Sequence, residues 1–209
     1  MTRRLTDAFK RLNTNLKRAE TVLDRFFDNP GGKPRKSGQP AAHEQELLRS
    51  VLVLAIGALD AYLSDVIIET LPRMAKVGTS GKLFDRLASA RPGLVLRAYL
   101  VGKDNDIERE IEKELAEAIE AEFAKDSMHG SGAALRVSDW CALGLGRRDF
   151  DSADVSNPLQ LLDDWTDKRH RIVHRGELVR LKRADATEVI KVVRSTARVV
   201  NDAAIRQYG

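Results

Sequence analysis

The chain has 209 residues, a formal net charge of +4 at pH 7 and one cysteine, Cys141. A single cysteine excludes an intrachain disulfide and a cysteine-rich metal site. The length suffices for one large domain or two small ones with a buried core. Aromatic residues make up only 5% of the chain and charged residues 32%. Together with abundant Ala, Leu, Glu, Lys and Arg, this composition favours an all-α fold.

Charge is distributed unevenly along the chain. Residues 1–40 and 168–183 are basic, whereas residues 104–126 are acidic. This distribution allows nucleic acid to bind at one place without a surface that is basic everywhere. The N-terminus lacks the apolar core of a signal peptide, and the longest apolar run, at 51–61, is shorter than a bilayer span. We therefore expect a soluble cytoplasmic protein that makes no contact with a membrane.

Residues 1–28 are predicted to form an amphipathic helix. Its apolar residues recur at alternating spacings of four and three, which places them on one stripe. The stripe consists of Leu5, Phe9, Leu12, Leu16, Ala19, Leu23 and Phe26. It predicts a packing surface, with a helix–helix seam in an oligomer as the alternative. Residues 29–41 are rich in Pro, Gly and cations and predict a flexible basic loop, so that the core bundle is expected over 42–209.

The second predicted helix runs from about 42 to 71 and is apolar nearly all round, which indicates a central helix packed on several sides. Asp60 lies within it and needs a partner, because an unpaired buried carboxylate is costly. Residues 78–156 are predicted to be an inserted helical region. Its last part is rich in loops, with one short helix expected at 138–145.

Two further helices follow the inserted region. Asn157 and Pro158 predict the start of the first, with Asn as N-cap and Pro at the first helical position, and Gly176 predicts its end. A short extended link should lead to the last helix. That helix is expected to start near Asp185, with Glu188 completing a capping box.

The stretch DKRHRIVHRGE, residues 167–177, closes the first of these two helices and holds two of the four histidines. His170 and His174, four residues apart, share one helical face. Arg169 and His174 are five residues apart, or about 140° around a regular helix. They therefore share a face only if the helix loosens at its end. No third ligand is spaced for a metal, and we expect neither a metal nor a cofactor.

Arginine and histidine together suit the cleavage of RNA without a metal. Imidazole titrates near neutral pH and can act as base for the 2′-OH or as acid for the leaving 5′-oxygen. Guanidinium is always charged and donates two hydrogen bonds to phosphate oxygens. A homodimer with paired motif helices would place two copies of each group in one cleft.

The order Arg169-His170-Arg171-Ile172-Val173-His174 resembles the signature of HEPN domains, in which an arginine and a polar residue precede a histidine. The central helix, with Asp60 followed by Tyr62, is similar to the group that includes RNase L and the prokaryotic stress proteins. The resemblance covers roughly 42–207. It implies an all-α helical bundle that commonly dimerises. Many members of the family are metal-independent endoribonucleases in toxin–antitoxin or antiphage systems.

The resemblance also implies roles for individual residues. Arg169 and His174 would be catalytic, and His170 would orient them or touch RNA. Asp60 would hold Arg169, although family members often carry Glu at that position and Asp is shorter. The neighbouring cations are expected to face RNA phosphates or to be only solvated; they are Lys168, Arg171 and Arg175.

These expectations make the chain an endoribonuclease that acts on RNA as a homodimer, with an antitoxin or a defence-system protein as a possible partner. The alternative is a non-catalytic HEPN-like module that binds RNA or a partner protein through its basic end. The two alternatives differ in turnover and in the effect of losing His174.

Overall fold

A computed structural model describes residues 7–27, 40–77, 82, 85, 88–89, 91–94, 96–97, 114, 117–118, 121, 130–151 and 155–209. Over these residues the chain is an all-α bundle with helical residues in the inserted region, which confirms the predicted fold class. The helices are α1 (Asp7–Phe27), α2 (Ala42–Val77), α3 (Gly130–Trp140), α4 (Pro158–Arg175) and α5 (Arg183–Tyr208), with a 3₁₀ turn at Arg147–Phe150.

Helix α2 lies at the centre of the bundle and packs against α1, α3, α4 and α5. Its buried side chains point in several directions, as the apolar sequence predicts; they include Leu48, Leu52, Ile56, Leu59, Leu63 and Ile67. The buried Tyr62 hydroxyl donates a hydrogen bond of 3.0 Å to the Ala197 carbonyl of α5. This bond satisfies the polar end of a large buried side chain.

The apolar part of α2 is longer than the sequence predicts. Its segment Ala42–Thr70 is long and apolar enough to cross a membrane by length and composition, so the expectation that the run is too short was wrong. A buried core helix meets the same criterion, and 56% of the most apolar window is buried inside the protein. The helix also continues to Val77, where the Arg73 guanidinium donates to the Tyr208 carbonyl at 2.9 Å and fastens the last turn to α5.

Helix α1 belongs to the same core. The apolar stripe that the sequence predicts is buried against α2 and α5, at Leu12, Leu16, Ala19 and Leu23. The stripe is therefore a packing surface within the chain. Leu5, the side chain of Phe26 and residues 29–39 of the predicted basic loop lie outside the described residues.

A carboxylate of α2 caps the N-terminus of α1. Glu69 Oε1 accepts a hydrogen bond of 2.8 Å from the Ala8 backbone N–H and lies 3.3 Å from Arg11 Nη2. Its other oxygen, Oε2, is buried without a hydrogen-bond partner among the residues that the structure describes. Burial raises the pKa of Glu69 to about 7, because a desolvated carboxyl group favours its neutral form.

Helix α3 does not lie where the sequence predicts it. The expected helix at 138–145 was wrong, since α3 spans Gly130–Trp140 and a turn follows it. The cause is Asp163 of α4, whose carboxylate accepts hydrogen bonds of 2.7 Å from both the backbone N–H and the hydroxyl of Ser131. Gly130 has φ +63°, and a Cβ there would lie 2.5 Å from Asp163 Oδ1. Gly130 and Ser131, which resemble loop residues in the sequence, are thus the residues that accommodate a cap from α4.

The ends of α4 agree with the prediction more closely than the start of α5. Pro158 is the first residue of α4, and Gly176 ends it with φ +64°. Asn157 is the N-cap residue, as predicted; it lies in the left-handed region and makes no side-chain capping bond. Helix α5 begins at Arg183, before the predicted start, and the Lys182 N–H donates to Asp185 Oδ2 at 2.7 Å. Asp185 therefore completes the cap from inside the helix.

The raised pKa of Glu69 predicts a pH-dependent stability. The native carboxyl binds its proton more tightly than the unfolded one, so the free energy of unfolding should fall as the pH rises from about 4.5 through about 7. Glu69→Gln retains an acceptor for the Ala8 N–H and has no charge. It should remove up to about 3 kcal/mol of this fall. Urea unfolding at several pH values measures the free energy of unfolding of each variant. The exposed Glu188→Gln is the control. Parallel pH profiles for wild type and Glu69→Gln would contradict the interpretation.

The cap on α3 gives a second stability prediction. Asp163→Ala leaves the Ser131 N–H and hydroxyl without their acceptor and should lower the free energy of unfolding by about 1–3 kcal/mol. The neighbouring Asp164 is exposed and accepts a hydrogen bond of 3.1 Å from Gln160 of its own helix. Asp164→Ala is therefore the matched control, with an expected change within about 0.5 kcal/mol. Equal unfolding midpoints for the two variants would show that the Asp163 contact does not stabilise α3.

Candidate functional site

The candidate site lies on the last two turns of α4. The first half of this helix is held in the core by Leu159, Leu162 and Trp165, which are buried. Beyond Trp165 no side chain of α4 is fully buried, and the helix ends in the left-handed turn at Gly176. The N–H groups of Gly176 and Glu177 both donate to the Arg171 carbonyl and close this turn. The packing of α4 therefore presents the polar stretch 168–175 at the surface.

His170 and His174 lie side by side on this surface, as the four-residue spacing predicts. Their ring centroids are 4.6 Å apart, with an angle of 40° between the ring planes. Both residues are exposed. Two imidazoles are thus available to a ligand on one face of α4.

Arg169 lies on a different side of α4. The helix stays regular through Arg175, so Arg169 and His174 are separated by about 140° around it. Arg169 is half-buried, and its Nε is buried with no hydrogen-bond partner in the part of the chain that the structure describes. One chain therefore does not present this arginine and His174 on a common face.

Asp60 is half-buried on α2, which packs against α4. Its backbone carbonyl accepts a hydrogen bond of 3.3 Å from the Ser64 hydroxyl. The resemblance implied that the Asp60 carboxylate holds Arg169. That contact stays a prediction.

The other cations of the motif have partners within the chain. Lys168 Nζ lies 3.7 Å from the centroid of the Trp165 ring, a cation–π contact. Arg171 directs Nε and Nη2 at Glu177 Oε2, each at 2.7 Å. Arg175 Nη1 lies 3.8 Å from Glu177 Oε1. The phosphate-facing role expected of these cations would therefore require an exchange of partners.

The link between α4 and α5 is fastened by two residues that the sequence analysis did not single out. Gln45 of α2 exchanges two hydrogen bonds with the backbone of Leu181, at 2.8 and 2.9 Å. Arg49, which is buried, donates to the Val179 carbonyl at 3.0 Å and pairs with Glu46 at 2.6 Å. Gln45 and Arg49 are four residues apart and so share one face of α2, but only the folded chain shows what that face contacts.

Cys141, the arginines of the 3₁₀ turn and His43 also carry reactive or charged side chains. Cys141 is fully buried, accepts a hydrogen bond of 3.2 Å from the Thr70 hydroxyl, and burial raises its pKa to about 12. A thiol in this state is a poor nucleophile. Arg147 and Arg148 are exposed on the 3₁₀ turn, and His43 is exposed on α2. Across the described ranges, no group of three or more His, Cys, Asp or Glu side chains could hold a metal ion.

The fastening of the link gives a testable prediction. Gln45→Ala removes both bonds to the Leu181 backbone and should lower the free energy of unfolding by about 1–3 kcal/mol. It should also speed amide hydrogen exchange at Leu181, because the link can then open locally. Gln160→Ala on the exposed side of α4 is the control. Unchanged exchange at Leu181 in Gln45→Ala would show that the side chain does not hold the link.

The comparison with protein families agrees with this architecture. The family model described as RiboL-PSP-HEPN matches residues 4–205. No curated protein and no solved structure matches the chain significantly. The match includes α1, which lies outside the 42–207 range of the sequence resemblance, and it includes the motif on α4. The chain belongs to the RiboL-PSP-HEPN family.

Proposed function

We propose that the protein is a metal-independent endoribonuclease that cleaves RNA by attack of the 2′-oxygen on the adjacent phosphorus. The observation that carries the proposal is the pair of exposed imidazoles, His170 and His174, with ring centroids 4.6 Å apart on α4 of a HEPN-family chain. Imidazole groups that face solvent are suited to transfer protons to and from a bound RNA.

The proposed reaction divides its work between imidazole and guanidinium. A neutral imidazole takes the proton of the 2′-OH, and the 2′-oxygen forms a bond to phosphorus. Arg169 stabilises the negative charge that develops on the phosphoryl oxygens. A protonated imidazole then gives its proton to the 5′-oxygen as the P–O bond breaks. The products are a 2′,3′-cyclic phosphate and a 5′-hydroxyl, with His174 as acid or base and His170 assisting.

A homodimer would complete this site. Because Arg169 and His174 do not share a face of α4, one chain lacks a cleft that contains both. Val173, directly before His174, is 47% exposed, and Leu178, beyond Gly176, is 75% exposed. Large apolar side chains exposed beside a polar site favour contact with another protein surface. Pairing of two α4 helices about a two-fold axis would cover them and bring Arg169 of one protomer toward His174 of its partner.

The proposed biological setting is that of a cytoplasmic toxin or antiphage effector controlled by an antitoxin or a defence-system partner. This part of the proposal is supported by the family alone, since many members act in such systems. The RNA substrate, the dimer and the partner protein all belong to the proposal.

A second candidate function is a non-catalytic module that binds RNA or a partner protein. It is favoured by the engagement of the motif cations, since Lys168 contacts Trp165 while Arg171 and Arg175 pair with Glu177. Such a module would bind RNA without turnover. Loss of Arg175 or Arg180 would then weaken binding as much as loss of His174.

Activity in EDTA distinguishes the two candidates. Wild type should cleave RNA in EDTA and leave 2′,3′-cyclic phosphate ends, whereas His174→Ala and Arg169→Ala should each lose about 100-fold or more in rate. His43→Ala and Arg198→Ala, both exposed and outside the motif, are the matched controls and should retain activity. Cleavage that persists in both motif variants, or that requires a divalent metal, would refute the proposed mechanism.

A further inference from the structure

We propose that Glu177 is an internal substitute for an RNA phosphate and that its carboxylate lowers the affinity of the α4 site for RNA. The inference rests on the proposed function for the identity of the ligand. Glu177 lies directly beyond the helix end and forms ion pairs with the guanidinium groups of both Arg171 and Arg175. From the sequence, these two arginines are expected to face RNA phosphates or to be only solvated, and Glu177 has no predicted role.

The contact with Arg171 uses the edge of the guanidinium group by which arginine also binds phosphate. Both Nε and Nη2 of Arg171 lie 2.7 Å from Glu177 Oε2, so the planar edge of the guanidinium group is directed at the anion. Carboxylates and phosphates are bound by this edge in the same manner. A phosphate oxygen on the same two nitrogens would therefore have to displace the Glu177 oxygen.

The backbone holds Glu177 in this place. The left-handed turn at Gly176 reverses the chain, and the Glu177 N–H donates to the Arg171 carbonyl at 3.1 Å. The Glu177 carbonyl accepts from the Val179 N–H at 2.9 Å, and the Val179 carbonyl accepts from the buried Arg49. Main-chain bonds on both sides thus hold the backbone of Glu177 beside the two arginines.

Helix stability does not account for an acid at this position. The C-terminus of an α-helix carries partial negative charge, and a carboxylate there is unfavourable unless cations offset it. Arg171 and Arg175 supply that offset, and the carboxylate in turn weakens their attraction for any other anion. The Glu177 carboxylate therefore lowers the positive electrostatic potential at this end of α4.

The pairing remains open to exchange. The side chains of Arg171 and Glu177 are 40% and 35% exposed, and that of Arg175 is 65% exposed. Ion pairs with this exposure contribute little to stability and are screened by salt. The two arginines follow His170 and His174 directly in sequence. A phosphate that replaced the Glu177 carboxylate would lie on the helix face adjoining the imidazoles.

Binding of a non-cleavable RNA tests the proposal separately from catalysis. The probe is a short single-stranded 2′-O-methyl oligoribonucleotide, which keeps the phosphates and lacks the attacking hydroxyl, and the readout is fluorescence anisotropy. Glu177→Gln should bind it roughly threefold to tenfold more tightly than wild type at low salt. Its salt dependence should be steeper by about one phosphate contact.

The matched control is Glu20→Gln, since Glu20 pairs with Arg194 at 2.9 Å and is 37% exposed, close to the value for Glu177. It makes the same change in charge away from α4 and should bind with the wild-type affinity. The gain from Glu177→Gln should disappear when Arg171→Gln is added. Thermal unfolding of each variant identifies any loss of fold.

Two results would overturn the proposal. Binding by Glu177→Gln equal to or weaker than wild type would show that the carboxylate holds Arg171 in place. An equal gain from Glu20→Gln would show that only net charge matters. Failure of the proposed nuclease activity is distinguishable, because it would leave unmodified RNA intact in wild type whatever the binding of the 2′-O-methyl probe.

Discussion

The burial of α2 is the interaction on which the rest of the structure depends. This helix contributes apolar side chains to contacts with α1, α3, α4 and α5, so helices from both ends of the chain and from the inserted region share one core. Burial of that much apolar surface is the main favourable term in folding a domain of this size. It also places the polar first turns of α2 beside the link after α4, and this brings Gln45 and Arg49 into contact with the backbone that follows the candidate site.

Polar side chains complete the helix ends in this core across long distances in sequence. Glu69 of α2 caps α1, Asp163 of α4 caps α3, and Gln45 of α2 satisfies the backbone of the link at Leu181. Each supplies an acceptor or donor to backbone groups that a helix or a turn cannot satisfy by itself. These contacts therefore connect each helix end or turn to a helix that is distant in sequence. Glu69 shows the cost of burying such a polar group. Its second oxygen has no partner in the described structure, and its pKa is raised to about 7.

The candidate site begins where the buried face of α4 ends. Trp165 is the last fully buried residue of the helix, and the motif follows it on turns that face solvent. The site then divides into three parts: the imidazole pair, the half-buried Arg169, and the arginines engaged by Glu177. In the proposed reaction, proton transfer, stabilisation of charge and binding of phosphate would be carried by different sides of one helix end. Such a division suits the proposed site, which a second protomer would complete.

The sequence by itself determined the features that depend on a few neighbouring residues. Helical periodicity gave the stripe of α1 and the all-round burial of α2, Pro158 and Gly176 gave the ends of α4, and the i, i+4 spacing gave the shared face of His170 and His174. Tertiary structure decided the rest. The position of α3 depends on Asp163, the last turn of α2 on Arg73, and the state of Arg171 and Arg175 on Glu177. Backbone conformation and side-chain spacing are local and can be read along the chain. Capping, desolvation and ion pairing depend on groups that only folding brings together.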